Sequence, residues 1–144
     1  MPISIEKAPN GGINLIPVDY FTRAFLALFG RKVNHSVYHI TNARSAPMDE
    51  MIAYTSRFFQ LTGLRTIIPL PGQNPSRNVL ESLLDKYLGE YNPYLRDERV
   101  FNMHTARRCL EKEEIRCPDM NYPQFENVMQ YALQTNWGKQ IGFD

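Results

Sequence analysis

Few side chains in this sequence are suited to acid, base or nucleophile chemistry, and their spacing limits what each can do. The 144 residues include three histidines and two cysteines. His35, His39 and His104 are the candidates for proton transfer, because imidazole titrates near neutrality without help from its surroundings. His35 and His39 stand four residues apart, on one face of a helix and equally on one face of a strand. Beside the aromatic run around Tyr38, a hydrogen-bonded structural role outweighs a catalytic one. Cys109 as a nucleophile needs a base, and His104, five residues earlier, falls off the three-to-four spacing that brings helical neighbours together. Cys109 and Cys117, with only three histidines for company, match no usual zinc spacing and are expected as free thiols. Asp49-Glu50 opens a helical segment, where two acids complement the positive helix end, so that role outweighs paired-carboxylate catalysis. Arg96 and Arg99 bracket Asp97-Glu98.

The composition sets the frame. Hydrophobic content of 43% and charged content of 22% are ordinary for a globular domain, and the length is that of one domain with a real core. A formal charge of +1 gives no reason to expect a nucleic-acid or anionic-membrane surface. No apolar run reaches the roughly 18 to 20 residues that span a bilayer, and the amino terminus lacks the pattern of a signal peptide, so the expected address is cytoplasmic.

The positioning elements follow from periodicity. Ile13 to Ile16 reads as a short strand stopped by Pro17, after which Val18, Phe21, Phe25 and Leu28 fall at helical spacing, with Asp19 in the first turn or at the cap. Gly30 ends that helix and Arg31-Lys32 suit its carboxyl end. Ser36 to Ile40 is a β-branched and aromatic run and predicts a strand. Helices are expected over Met48 to Leu61, from a Ser76 cap through Leu88, from an Asn102 cap through Leu110, and from Asn121 through Leu133. Leu64 to Leu70 is a short extended piece that its prolines keep out of a sheet centre. Arg99 to Phe101 is a third candidate strand. The expected fold is α+β, about five helices with a small sheet.

Two segments carry a resemblance. Asn14-Leu15-Ile16-Pro17-Val18-Asp19-Tyr20-Phe21, followed in order by Val37-Tyr38-His39-Ile40, is similar to the Pro-Val-Asp-Tyr strand-to-helix turn and succeeding strand in the carboxyl-terminal half of extended short-chain dehydrogenase/reductases. It looks closest to the thioester-reductase and fatty-acyl-reductase ("male sterility") branch. Val100 to Leu110, with Ile115-Arg116-Cys117-Pro118, resembles the tail of the same family, with Asn102 where an Asp often stands. The resemblance implies that residues 1–144 form one substrate-binding lobe of a Rossmann-type subunit. It also implies that a dinucleotide-binding half precedes the lobe.

The resemblance brings expectations about chemistry. The complete enzyme would use NADP or NAD to reduce an activated acyl group, an acyl thioester, or a related carbonyl. This chain has no Gly-x-Gly-x-x-Gly, and none of its eight tyrosines has a lysine four positions on, so neither the family's cofactor fingerprint nor its Tyr-x-x-x-Lys pair is present. No catalytic, cofactor-binding or metal-binding residue is therefore expected here. The family often places a phosphate-holding arginine in the connector before the tail, which makes Arg96 and Arg99 the candidate substrate-binding residues, since a guanidinium fork matches phosphate. The competing reading is a solvated loop in which Arg96 pairs with Asp97 and Glu98 with Arg99. The alternative function is a free-standing protein-interaction module that keeps the lobe's fold.

Overall fold

The computed structural model describes residues 2–31, 37–70, 77–95 and 97–138. The elements run β1 (Ile3–Glu6), β2 (Gly12–Ile13), α1 (Val18–Phe29), β3 (Ala46–Pro47), α2 (Met48–Phe59), β4 (Leu64–Ile67), α3 (Val79–Leu88), a short α4 (Asn92–Leu95), α5 (His104–Glu111) and α6 (Tyr122–Gln134). Among the described residues, five helices of two turns or more and two small sheets make the α+β fold expected.

The main core is the contact of α1 with α5. Tyr20, Ala24 and Leu28 face Ala106, Leu110 and Ile115, and all six are buried. Ala24 and Ala106 are essentially inaccessible; two small residues at the crossing let the backbones approach closely. Arg31 holds the two ends together: its Nε donates to the Ala27 carbonyl at 3.2 Å and its Nη2 to Glu113 Oε1 at 2.8 Å. A second core is aromatic. Tyr54 and Phe58 of α2 meet Tyr122 and Phe125 of α6 in edge and tilted contacts of 5.7 to 6.3 Å, and Arg57 lies 3.7 Å over the Tyr122 ring.

The expected α1 period is correct but the face is displaced. The residues that fit the core are Tyr20, Ala24 and Leu28, whereas Phe21 and Phe25 stay 43% and 45% exposed and Val18 80%. The reason is size, because a close crossing with Ala106 admits Ala24 and has no room for a phenylalanine ladder. Asp19 sits in the first turn but makes no cap; the N-cap position is Pro17, with no side-chain hydrogen bond. Other caps follow the sequence more closely, although at α5 the N-cap position is Met103 and Asn102 stands one residue before it. Asn121 and Gln124 form a reciprocal capping box at α6, with Pro123 in its first turn, and the Asn102 side chain accepts from the His104 N–H at 3.0 Å. At α3 the cap is Asn78, in a box with Glu81. Ser76 lies outside the described residues.

The sheets differ most from expectation. β1 pairs in parallel with β4, from Ile3 opposite Leu64 to Glu6 opposite Ile67, and β2 pairs antiparallel with β3. Of the expected strands, only Ile13 joins a ladder; Val37–Ile40 and Arg99–Phe101 join none among the described residues, and Ser36 lies outside them. After Ile13 the ladder is replaced by a side chain. Asn14 Oδ1 accepts from the Asn42 N–H at 2.8 Å while its Nδ2 donates to the Asn42 carbonyl at 2.9 Å, so one amide does what a strand neighbour would do. Gly12 permits the approach: a Cβ there would stand 2.8 Å from the Ala46 carbonyl oxygen.

Candidate functional site

The connector Asp97–Phe101 passes over the β2–β3 corner and closes a cleft of ≈ 180 Å³ with Asn10, Asn14, Asn42 and Ser45. Glu98 fixes it from below, its Oε1 accepting from the Asn10 N–H at 2.7 Å. The floor is held by Asn42, which is 6% exposed, with its Nδ2 donating to the Leu15 and Pro118 carbonyls and its Oδ1 accepting from the Arg44 N–H. Asn14 and Asn42 thus join the first helix entry, the loop after Thr41 and the turn before α6. Nothing in the isolated side-chain types announces this; the signal is the Asn at the head of the Pro-Val-Asp-Tyr segment, whose partner is visible only in three dimensions.

Arg99 stands at the rim of this cleft with its side chain 76% exposed. Its fork is engaged by Asp97, with Nε at 2.8 Å from Oδ1 and Nη2 at 2.7 Å from Oδ2. Those bonds hold the Asp97 carboxyl well below the usual range, at about 2, and raise the Arg99 guanidinium in turn. The pairing is Arg99 with Asp97, rather than with Glu98 as the compensated-loop reading had it. Arg96 lies outside the described residues.

A larger cleft, ≈ 400 Å³, lies between the β1–β4 pair and α3. Here α3 is tied to β1 by polar groups: Glu81 accepts from the Ser4 N–H at 2.7 Å, Arg77 reaches Glu6 at 3.0 Å and also pairs with Asp85, and Asn78 donates to the Pro2 carbonyl. Two backbone N–H groups, from Asn78 and Ser4, push the Glu81 carboxyl downward. A third cleft, ≈ 240 Å³, brings together Tyr20, Met103, Arg107 and Cys117. Burial, and then the charge of Cys117, raises the Tyr20 phenol, while burial and then Asp119 and Asp19 lift the Cys117 thiol to about 11. A thiol so protonated is a poor nucleophile.

His39 packs against Phe101, ring centres 5.6 Å apart, and His104 is exposed at the start of α5. His35 lies outside the described residues. Asp49, in the first turn of α2, also receives Lys7 Nζ at 2.5 Å and the Thr66 hydroxyl, which together lower its pKa, Lys7 most. Both cysteines are free, and among the described residues no group of three His, Cys, Asp or Glu is placed to hold a metal ion. α1 and α2 are entered through Pro17 and Pro47, not through a glycine turn of the kind that lets a pyrophosphate reach a helix end. No helix among the described residues is long and apolar enough to cross a membrane.

No protein-family model matches the sequence, and comparison with curated proteins finds no match. Solved structures do match. Over 95% of its length the chain is similar in fold to the terminal R domain from the myxalamid PKS-NRPS biosynthetic pathway, at a TM-score of 0.67 and 20% identity. It is also similar, over 91% of its length, to a functionally unknown conserved protein from Silicibacter pomeroyi DSS, at a TM-score of 0.55 and 18% identity. The chain spans 36% and 42% of those two proteins. The shared fold agrees with the one the sequence resemblance implied.

Proposed function

We propose that this chain is the substrate-side lobe of a reductase that acts on an activated acyl group, an acyl thioester, or a related carbonyl. Hydride would come from NADP or NAD held by a separate dinucleotide-binding lobe. The observation that carries the reading is the fold likeness to an R domain over nearly the whole chain, combined with the Asn14–Phe21 segment forming the entry to α1. The absence of a glycine-rich turn agrees with a division of labour in which this lobe binds and positions while its partner carries the cofactor.

Within that reading, Arg96 and Arg99 are the substrate-binding candidates. Arg99 is exposed and already grips a planar oxyanion in bidentate fashion, so a phosphate on an acyl carrier would exchange with Asp97 as the fork's partner. Steady-state kinetics of the complete enzyme test this. Arg99→Ala should raise KM several-fold for a thioester on a phosphate-bearing carrier, leave kcat nearly unchanged and spare a truncated thioester. Equal effects on both substrates would leave the arginine to Asp97 alone.

A further inference from the structure

We infer, independently of the reductase reading, that the cleft of ≈ 240 Å³ between α1, α5 and the segment 115–117 binds a small carboxylate with a short apolar body, held by the Tyr20 hydroxyl and the Arg116 guanidinium. The first observation is the phenol. Tyr20 is 4% exposed and lines the cleft, and its hydroxyl makes no hydrogen bond among the described residues. Nor is that hydroxyl sealed off, as the unpartnered Tyr38 and Thr41 hydroxyls are, so it opens into the cleft. Nearly buried polar groups are otherwise paired, and this one has a proton to give, since burial and then the charge of Cys117 raise the phenol. Cys117 does not compete for the same acceptor: its Sγ donates to the Pro118 carbonyl at 3.7 Å.

The second observation is the charge at the rim. Arg107 and Arg116 both line the cleft. Arg107 is engaged, its Nε donating to Glu111 Oε1 at 2.8 Å, whereas Arg116 is exposed and makes no hydrogen bond or ion pair among the described residues. A free phenol and a free guanidinium on one cleft match the two oxygens of a carboxylate. The surroundings set the charge and the size of the occupant. Glu111 lines the same cleft and the charges of Asp119 and Asp19 are felt at Cys117, so a phosphate dianion meets a repulsion that a monoanion largely escapes. Met103, Leu110 and Ile115 make the rest of the wall apolar. The volume lies below the roughly 300 to 1,000 Å³ of sites for drug-sized ligands, so the apolar body is a chain of a few carbons.

Titration of sodium butyrate into the 144-residue chain, followed through its backbone amide NMR shifts, tests the inference. Amides of Tyr20, Met103, Arg107, Arg116 and Cys117 should shift together and saturate, with a dissociation constant on the order of millimolar, as a ligand of about six heavy atoms allows. Tyr20→Phe should weaken binding at least about tenfold. It should leave the melting temperature unchanged, because the hydroxyl has no partner to lose. Arg116→Gln, on the surface and harmless to folding, should weaken binding about two- to fivefold. Absence of saturable shifts up to about 50 mM butyrate overturns the inference. So does parent-like affinity in either variant, and so does butan-1-ol binding as tightly as butyrate, which would make the cleft an apolar crevice only. Inorganic phosphate binding as tightly as butyrate would overturn the assignment to a carboxylate.

Discussion

Asn14 and Asn42 show how far a single amide can organise this molecule. Each side chain serves backbone groups of another segment, and Asn42 is buried, so removing one partner leaves donors and acceptors without water to replace them. Asn14→Ala should cost about 2 kcal/mol or more in chemical denaturation. Asn14→Asp, which keeps the acceptor for the Asn42 N–H but loses both donors, should fall between. Asp19, which makes no cap, contributes only a first-turn charge, and its replacement by Ala should cost no more than about 0.5 kcal/mol. Asp49 is the weightier acid because it holds the buried Lys7 ammonium. Allowing for its own exposure, Asp49→Ala should cost about 1–2 kcal/mol. Its lowered pKa means that this contribution is present above the usual carboxylate value and is lost as pH falls through the folded value. Cys117 acts at the other extreme. Its pKa is raised from 9.0 to about 11, so the folded state holds the proton longer, and stability falls as pH rises across that interval. Cys117→Ala should flatten this alkaline limb. With its thiol held protonated by burial, Cys117 should be alkylated at pH 8 more slowly in the folded than in the unfolded protein, read by mass spectrometry.

At the scale of elements, what the sequence made legible is what depends on local chemistry. Asn121 with Gln124 and Pro123, Asn102 before α5, and Gly30 and Arg31 at the end of α1 all act within a turn or two of themselves, and the structure uses each; Pro17 marks the entry to α1, while the strand expected to run up to it ends at Ile13. The sheets were legible only in part: the extended piece expected at Leu64–Leu70 supplies β4, but the pairings were not visible. β1 and β4 are short, distant in sequence and individually unremarkable, and their pairing depends on where α2 and α3 settle. Val37–Ile40 has a strand's composition and alternation but lacks a ladder among the described residues. The α1 face was read one residue out of place because the row of phenylalanines is more apolar than the Tyr20–Ala24–Leu28 row. Hydrophobicity ranks side chains, while a close helix crossing selects small ones. The contrast gives a direct test by thermal melting of the chain. Leu110→Ala, in the core, should cost about 2–4 kcal/mol, whereas Phe25→Ser, on the outward face, should cost less than about 1 kcal/mol. Of the candidate site, Arg99's exposure was legible in the alternating charges of the connector, but its partner is Asp97 and not the expected Glu98. The Tyr20–Cys117 cleft and the cleft under α3 assemble residues from three or more segments, and no local pattern marks them.

Among the described residues the molecule has two cores and leaves the row Phe21, Phe25 and Phe29 of α1 exposed. The α1–α5 contact and the α2–α6 aromatic cluster hold it together, and the Asn14–Asn42 staple joins the helix entry to the turn before α6. The entries to α1 and α2 carry proline where a pyrophosphate-binding turn carries glycine. The central claim is that substrate handling resides here and cofactor handling does not. Calorimetric titration of NADPH and of NADH into the isolated 144-residue chain tests it most directly. The account predicts no saturable heat at cofactor concentrations up to the millimolar range; a saturating isotherm with a dissociation constant in the low micromolar range would contradict it.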